Sequence, residues 1–261
     1  MFTWRKKRPT DTALPTVSFA TTCWERDWRT ILLDDRYLSE LQIKNHCFPF
    51  SEKILIINNV KDEEEVCSHA ERRKREGVLT NYYVARSLSK EVLDSFFLRR
   101  EDFTVGTEVD NAMGATNDWV YFNAIGVLTA IYVCPTEYLL YLTGDVRLTS
   151  PIEWIPAAID KMRKEKKYKV ANLTWNEQWE EAARESYKED GDFFVSKRGF
   201  SDQCFLVRSE DFKRPIYREI RKDARHFPRG DVFEKRVFSY MVNHGWLRIT
   251  YKKGSYLHEN L

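Results

Sequence analysis

The sequence carries neither of the glycine signatures that cradle phosphate groups: no GxGxxG opens a helix and no GxxxxGK[ST] occurs. A dinucleotide-dependent dehydrogenase and a P-loop enzyme therefore lose support. Cysteine is sparse, with five residues at Cys23, Cys47, Cys67, Cys134 and Cys204. Their number is odd and they form no CxxC pair or His/Cys cluster at zinc spacing, so neither a disulfide framework nor a structural zinc site is indicated. Charge of one sign is also missing: 42 Lys and Arg stand against 40 Asp and Glu, a formal charge of +2. That balance excludes the global basic excess of a dedicated nucleic-acid binder and leaves any phosphate recognition to local groups. The most apolar stretch, Ala124 to Val133, is too short and too interrupted to span a bilayer, and no apolar signal segment follows the first basic residues. The expectation is a protein of a reducing, cytoplasmic compartment.

What is present is core material. Hydrophobic residues make up 43% of the 261 positions and aromatics 14%, enough apolar surface for one compact domain. Residues 1–15 read as a basic tail, because Arg5-Lys6-Lys7-Arg8 precedes Pro9. That run is a solvated segment in the plain reading, and in the alternative an electrostatic tether to anionic lipid that would give peripheral membrane contact. The domain is expected over 16–261, with a nucleotide-binding half at 16–150 and a more irregular, acceptor-shaping half at 151–261.

Thr16 to Ala20 reads as a short strand ending in polar Thr21-Thr22, and Lys53-Ile54-Leu55-Ile56-Ile57 as a strand apolar on consecutive positions. A half-exposed sheet would alternate, so the second strand is buried on both faces, as in parallel sheets under helices. The segment after it is sorted by charge: Asp62 to Glu65 at its start, Arg72 to Arg75 at its end, then Gly77. This is the order a helix dipole favours, with a glycine suited to the C-terminal cap, and the charges read as a solvated face. Tyr82 to Ala85 follows as a strand. A helix over Asn123–Val133, a buried strand over Glu137–Leu142, a helix over Pro151–Lys167, three short strands, a final helix bearing Phe233, Val237, Phe238 and Met241, and a strand over Trp246–Tyr251 complete the pattern. The fold class is α/β: a mostly parallel central sheet flanked by helices, with its ligand at the carboxyl ends of the strands.

The Tyr138–Leu142 strand runs into Thr143-Gly144-Asp145-Val146-Arg147. An apolar strand ending in Gly-Asp puts a carboxylate at the rim where α/β folds hold ligands, where it can bind a divalent ion that neutralises a diphosphate; taken alone, such an Asp is more often a turn residue. Taken in succession, Asn111-Ala112-Met113-Gly114, then Asn123-Ala124-Ile125-Gly126, then Glu137 to Val146 resembles the central region of GT-A-fold glycosyltransferases of the family 2 type. There a glycine-bearing loop and an Asn-x-Gly helix precede a strand ending in Asp-x-Asp. The chain departs from that motif, with Arg147 at the place of the second acid. Arg147 either reaches a phosphate as a fixed cation or faces solvent.

The resemblance implies transfer of a sugar from a nucleoside-diphosphate sugar to a hydroxyl of a glycan or other acceptor, with inversion and with Mg²⁺ or Mn²⁺ as cofactor. It implies that Thr21, Thr22 and Asn59 contact the nucleoside, and that Asp145, with Arg147, holds the diphosphate. It implies that His258 joins Asp145 at the metal or phosphates. It also implies a general base at the start of the last helix, which Glu234 matches best, with Asp231 and Asp202 as competitors. Each has a plain alternative: strand-end polar groups, an exposed terminal histidine, and acids that complement a helix dipole. Trp154, Trp175 and Trp179 pack the core or stack on sugar faces. Two rivals stand beside the enzyme: a non-catalytic nucleotide- or carbohydrate-binding module, and a nucleotidyltransferase, which should show an early basic glycine-rich loop.

Overall fold

The computed structural model describes residues 15–105, 116–224 and 231–259. The basic run Arg5 to Arg8 and the loop Asn111–Gly114 lie outside the described residues. Four strands, β1 (Val17–Cys23), β2 (Glu52–Ile57), β3 (Asn81–Val84) and β4 (Tyr138–Leu142), pair in parallel in the order β3-β2-β1-β4. The sheet continues through β9 (Cys204–Arg208), β6 (Tyr168–Trp175), β10 (Leu247–His258), β8 (Phe193–Ser196) and β7 (Lys188–Asp190), while the short β5 (Val146–Leu148) pairs with the end of β10. In this second half β6 and β10 are parallel and the other pairs antiparallel.

β4 explains why consecutive apolar residues were needed. Its five residues are all buried; Tyr138, Leu140 and Leu142 point to one hydrophobic layer, Leu139 and Tyr141 to the other. The first layer is closed by α1 (Trp28–Leu33), α2 (Glu63–Arg75) and α5 (Ile155–Lys164). The second is closed by α3 (Ala85–Ser95), α4 (Asn117–Val133), α7 (Ser209–Phe212) and α8 (Phe233–His244). The remaining helix, α6 (Trp179–Glu185), follows β6. No described helix is long and apolar enough to cross a membrane.

Several local expectations shift. α4 starts at Asn117 rather than Asn123, because the Thr116 hydroxyl accepts the Trp119 N–H at 3.2 Å and caps the helix one and a half turns earlier. α2 is capped as its charges indicate, by Asp62 accepting from Glu65 N–H at 2.9 Å, with Gly77 at φ +76° just beyond it. Its basic end is solvated only in part, with Lys74 and Arg75 exposed. Arg73 is 3% exposed and donates to the carbonyls of Leu32 and Asp34 at 2.9 Å each, tying off the C-terminal end of α1. β10 runs on to His258 through a bulge between Tyr251 and Ser255. The Lys252-Lys253-Gly254 stretch that looked like a strand end is the bulge itself, and Gly254 packs against Ile152, whose side chain leaves 2.8 Å for any Cβ there.

Trp154 is fully buried and donates its indole N–H to Nδ1 of buried His46 at 3.0 Å, which fixes it as core. Burial pushes the His46 imidazole down to about 3 from 6.5. Neutral His46 is favoured in the folded state and protonated His46 in the unfolded one below pH 6.5, so stability falls with acidification from about pH 6.5 toward 3. The expected contribution is about 1.4 kcal/mol per pH unit in that window. His46→Gln, which keeps an acceptor for Trp154 but does not titrate, should show a correspondingly shallower loss in urea melts at pH 7, 6 and 5; parallel pH profiles would contradict the assignment.

Candidate functional site

A cleft of about 390 Å³ opens at the carboxyl ends of β1 and β4. Its wall is built from Thr22 on β1, Trp24, Arg26 and Asp27 in the loop that follows, Asn58 after β2, and Trp119, Phe122 and Asn123 on α4. Thr143, Gly144 and Asp145 after β4, Asp202 and Gln203 before β9, Phe233 and Glu234 on α8, and His258 at the end of β10 complete it. Seven segments distant in sequence thus converge where an α/β sheet places ligands.

The loop carrying Asp145 is held rigid by backbone bonds and by the helical turn Tyr37–Ile43. Tyr37 donates its hydroxyl to Gly144 O at 3.0 Å, and the Gln42 amide donates to Gly144 O at 3.1 Å and to Val146 O at 2.8 Å. Thr143 N–H donates to Gln203 O at 3.0 Å and Glu259 N–H to Asp145 O at 2.8 Å. Gly144 is required by proximity: a Cβ there would lie 2.4 Å from Thr22 O and 2.7 Å from Asp27 Oδ2. Gly144→Ala should cost about 1–3 kcal/mol as an overpacked core does, and should displace the Asp145 loop; a melting curve unchanged within error would show that the loop is slack.

Asp145 Oδ2 and His258 Nε2 lie 3.0 Å apart. This bond, and the Asp145 charge behind it, raise the His258 pKa above 6.5 against the opposing effect of burial. His258 is aimed by its own strand: its N–H donates to Asn176 Oδ1 at 2.8 Å, and Asn176 N–H donates to Tyr256 O at 2.8 Å. Adjacent ligands of an octahedral ion with bonds of about 2.1 Å are separated by about 3.0 Å, so the pair fits two corners of a Mg²⁺ or Mn²⁺ shell. Among the described residues no group of three or more His, Cys, Asp or Glu is set for a metal. Such an ion would complete its shell from phosphate oxygens and water.

Across the cleft, Glu234 sits on the first turn of α8 and its Oε1 accepts the Asp202 N–H at 3.0 Å. Burial pushes the Asp202 carboxyl well above the usual range, and the neighbouring Glu234, by charge and by a side-chain hydrogen bond, pushes it further. Asp27 is a second acid held uncharged. It is 3% exposed, burial raises it to about 8 with Asp145 adding to the rise, and the Trp24 N–H that it accepts at 2.8 Å opposes the shift without cancelling it.

Of the residues singled out in the sequence, Thr22, Asp145, Asp202, Glu234 and His258 line this one cleft. Thr21 is fully buried in the sheet beside it. Asn59 stands outside the lining at φ +50°, and its neighbour Asn58 faces the cleft, donating to Phe122 O at 2.7 Å. Asp231 also lies outside the lining, its carboxylate 3.3 Å from Lys235 Nζ. Arg147 is not simply solvated: its Nη2 pairs with Glu259 at 2.6 Å. Among the described lining residues Arg26 is the one Lys or Arg, exposed and 5.7 Å over the Trp24 ring. The sequence signal for Trp24, Arg26 and Asp27 was their place directly after the first parallel strand; Gln203 gave no signal at all.

No family model and no curated sequence matches the chain. Among solved structures, GalNAc-T7 with UDP, GalNAc and Mn²⁺ superposes with a TM-score of 0.51 at 11% identity, covering 95% of this chain and 44% of that one. The mannosyltransferase PcManGT from Pyrobaculum calidifontis, in complex with GDP-Man and Mn²⁺, gives 0.51 at 12%, covering 96% and 60%. The chain has the GT-A fold. The galactosyltransferase LgtC, at a TM-score of 0.42 and 9% identity over 75% of this chain and 59% of its own, adds nothing to the GT-A topology. The chain therefore spans roughly half the length of these GT-A structures.

Proposed function

We propose that the protein is an inverting glycosyltransferase that moves a sugar from a nucleoside-diphosphate donor to a hydroxyl acceptor. The observation that carries this reading is the pairing, within one cleft of a GT-A fold, of an imidazole–carboxylate corner at Asp145 and His258 with an acid pair at Asp202 and Glu234. The corner suits a diphosphate with its divalent ion; the acid pair suits removal of an acceptor proton. A divalent ion, when bound, supplies positive charge for the departing diphosphate. Asp145 and His258 hold that charge in place, Arg26 at the open rim adds a cation, and Glu234 takes the proton of the attacking hydroxyl. Asp27, uncharged, keeps a second negative charge away from the phosphates. Thr22 and Asn58 offer hydroxyl and amide groups to the neutral nucleoside.

Thermal-shift screening against a panel of nucleoside-diphosphate sugars, with and without Mn²⁺, is the direct test. Stabilisation by one donor class, together with slow release of free nucleoside diphosphate in the absence of acceptor, is the expected outcome. Stabilisation without any release identifies a binding module, and no response from any donor rejects the reading altogether. With two protein ligands the ion should be exchangeable: dialysis against EDTA should strip Mn²⁺ and reduce donor turnover, and stoichiometric retention of Mn²⁺ after that dialysis would contradict the two-ligand site.

A further inference from the structure

A second cavity, of about 680 Å³, shares no described lining residue with the cleft. It opens between the end of α3 and α8. Where α3 stops, Phe97 N–H donates to Asp94 O at 3.2 Å and Leu98 N–H to Leu93 O at 2.9 Å. This pair of bonds is the Schellman arrangement, whose left-handed residue is usually glycine. Phe97 holds that place at φ +56°, and its ring is 66% exposed. A bulky side chain in the left-handed region costs the fold energy, and here burial returns little for it. The ring instead forms part of the cavity wall.

Arg236, on α8, is the most buried charged residue of the lining, at 4% exposure. Its Nε donates to Asp231 O at 3.1 Å, its Nη1 to Tyr217 O at 2.9 Å and its Nη2 to Asp102 O. A guanidinium has five N–H donors, so one on each terminal nitrogen is left over, and all three partners are neutral carbonyls. Burial lowers the Arg236 pKa, and the charges of Asp231 and Asp102 offset that only in part. A buried cation in contact with carbonyls alone favours an incoming anion. Arg99 and Arg218, both exposed, bring two more cations to the same cavity, and no described carboxylate pairs with Arg218. The two acids of the lining are each engaged at one oxygen: Asp94 by Lys90 Nζ at 2.7 Å, and Asp102 by the Arg99 N–H at 2.7 Å. Their other oxygens can accept hydroxyl hydrogens.

We propose that this cavity is a binding site for a phosphorylated monosaccharide, separate from the cleft that holds Asp145 and Glu234. The guanidinium forks of Arg218, Arg99 and Arg236 match phosphate oxygens. Asp94 and Asp102 accept from the sugar hydroxyls, and the apolar face of the sugar ring lies on Phe97. Three arginines against two acids suit one phosphate and disfavour a polyphosphate. The cavity volume is within the range of small-molecule sites. None of this rests on the transfer reaction proposed for the first cleft.

The experiment is calorimetric titration of the full chain, in EDTA, with glucose 6-phosphate, glucose and inorganic phosphate in turn, repeated on Phe97→Gly and Arg218→Ala with a melting curve for each. Glucose 6-phosphate should bind wild type more tightly than either fragment does. Arg218→Ala should weaken it by about 10–100-fold, the worth of a hydrogen bond to a charged group, with the melting temperature unchanged. Phe97→Gly removes the left-handed strain, so its melting temperature should not fall, while glucose 6-phosphate binding drops by about 3–10-fold for the lost ring contact. A ring that served only the fold would give the opposite pair of results. No binding of glucose 6-phosphate, binding that both variants keep at wild-type strength, or inorganic phosphate binding as tightly as glucose 6-phosphate overturns the proposal. Failure of the donor-sugar screen leaves these titrations unaffected, so the two readings fail separately.

Discussion

Glu234→Gln is expected to lower sugar transfer by roughly 10²–10⁴, the usual worth of general-base catalysis, while donor affinity stays within a few-fold. The substitution suits the site because the amide oxygen of the introduced glutamine can still accept the Asp202 N–H that holds Glu234 at 3.0 Å. The first turn of α8 is anchored by Phe233, Val237 and Met241, all buried, so the backbone that aims the side chain has no reason to move. If Glu234 only complemented the helix dipole, the variant would lose about 0.3–1 kcal/mol of stability and keep its turnover. Asp202 supplies the finer discrimination. Its carboxyl is raised by burial and then by Glu234, so removing the Glu234 charge should let Asp202 ionise at lower pH. Residual activity whose pH profile moves downward in Glu234→Gln would assign the base to Asp202. Asp231→Asn should leave transfer unchanged, since that carboxylate lies off the cleft beside Lys235.

How much of this could be read from the residues depended on whether the signal was local. The strand over Ile54–Ile57 and the strand over Tyr138–Leu142 declared themselves because burial on two faces demands apolar residues at consecutive positions. Asp145 declared itself because the strand ended there. Glu234 and His258 were placed in order along the chain by resemblance, but their partners were not visible. Asp202 meets Glu234 across 32 residues and His258 meets Asp145 across 113, separations over which no sequence period carries information. Asn58 and Asn59 show the limit at one-residue scale: both end the same strand, and the positive φ at Asn59 turns the chain so that Asn58 faces the cleft. The basic end of α2 misled for a different reason. A run of four cations reads as solvated, yet Arg73 lies beneath the end of α1, where unpaired carbonyls needed a donor. Arg147 likewise has a partner that no local pattern shows, Glu259, which the antiparallel pairing of β10 with β5 brings beside it.

Asp145→Asn should reduce donor turnover by at least ~10²-fold, the scale for losing one preorganised electrostatic group, and should weaken Mn²⁺ binding in parallel. Asparagine keeps the shape, and its Oδ1 can still accept from His258 Nε2–H in place of the carboxylate oxygen at 3.0 Å, so the variant isolates charge from geometry. The loop itself is held by Tyr37, Gln42 and backbone bonds that do not involve the side chain, and the melting temperature should not fall. Two neighbours report whether the charge alone has gone. The His258 pKa is raised chiefly by its bond to Asp145, so it should drop in the variant. The rise of Asp27 to about 8 owes part to Asp145, so Asp27 should ionise at lower pH. Because a carboxyl whose folded pKa exceeds its unfolded one loses stability as pH climbs from about 4 to 8, lowering the Asp27 value should make Asp145→Asn relatively more stable than wild type at pH 8 than at pH 5. A variant that shows both neighbour shifts and keeps wild-type turnover and Mn²⁺ affinity would remove Asp145 from the diphosphate site, because the charge would then be proven absent and proven dispensable together.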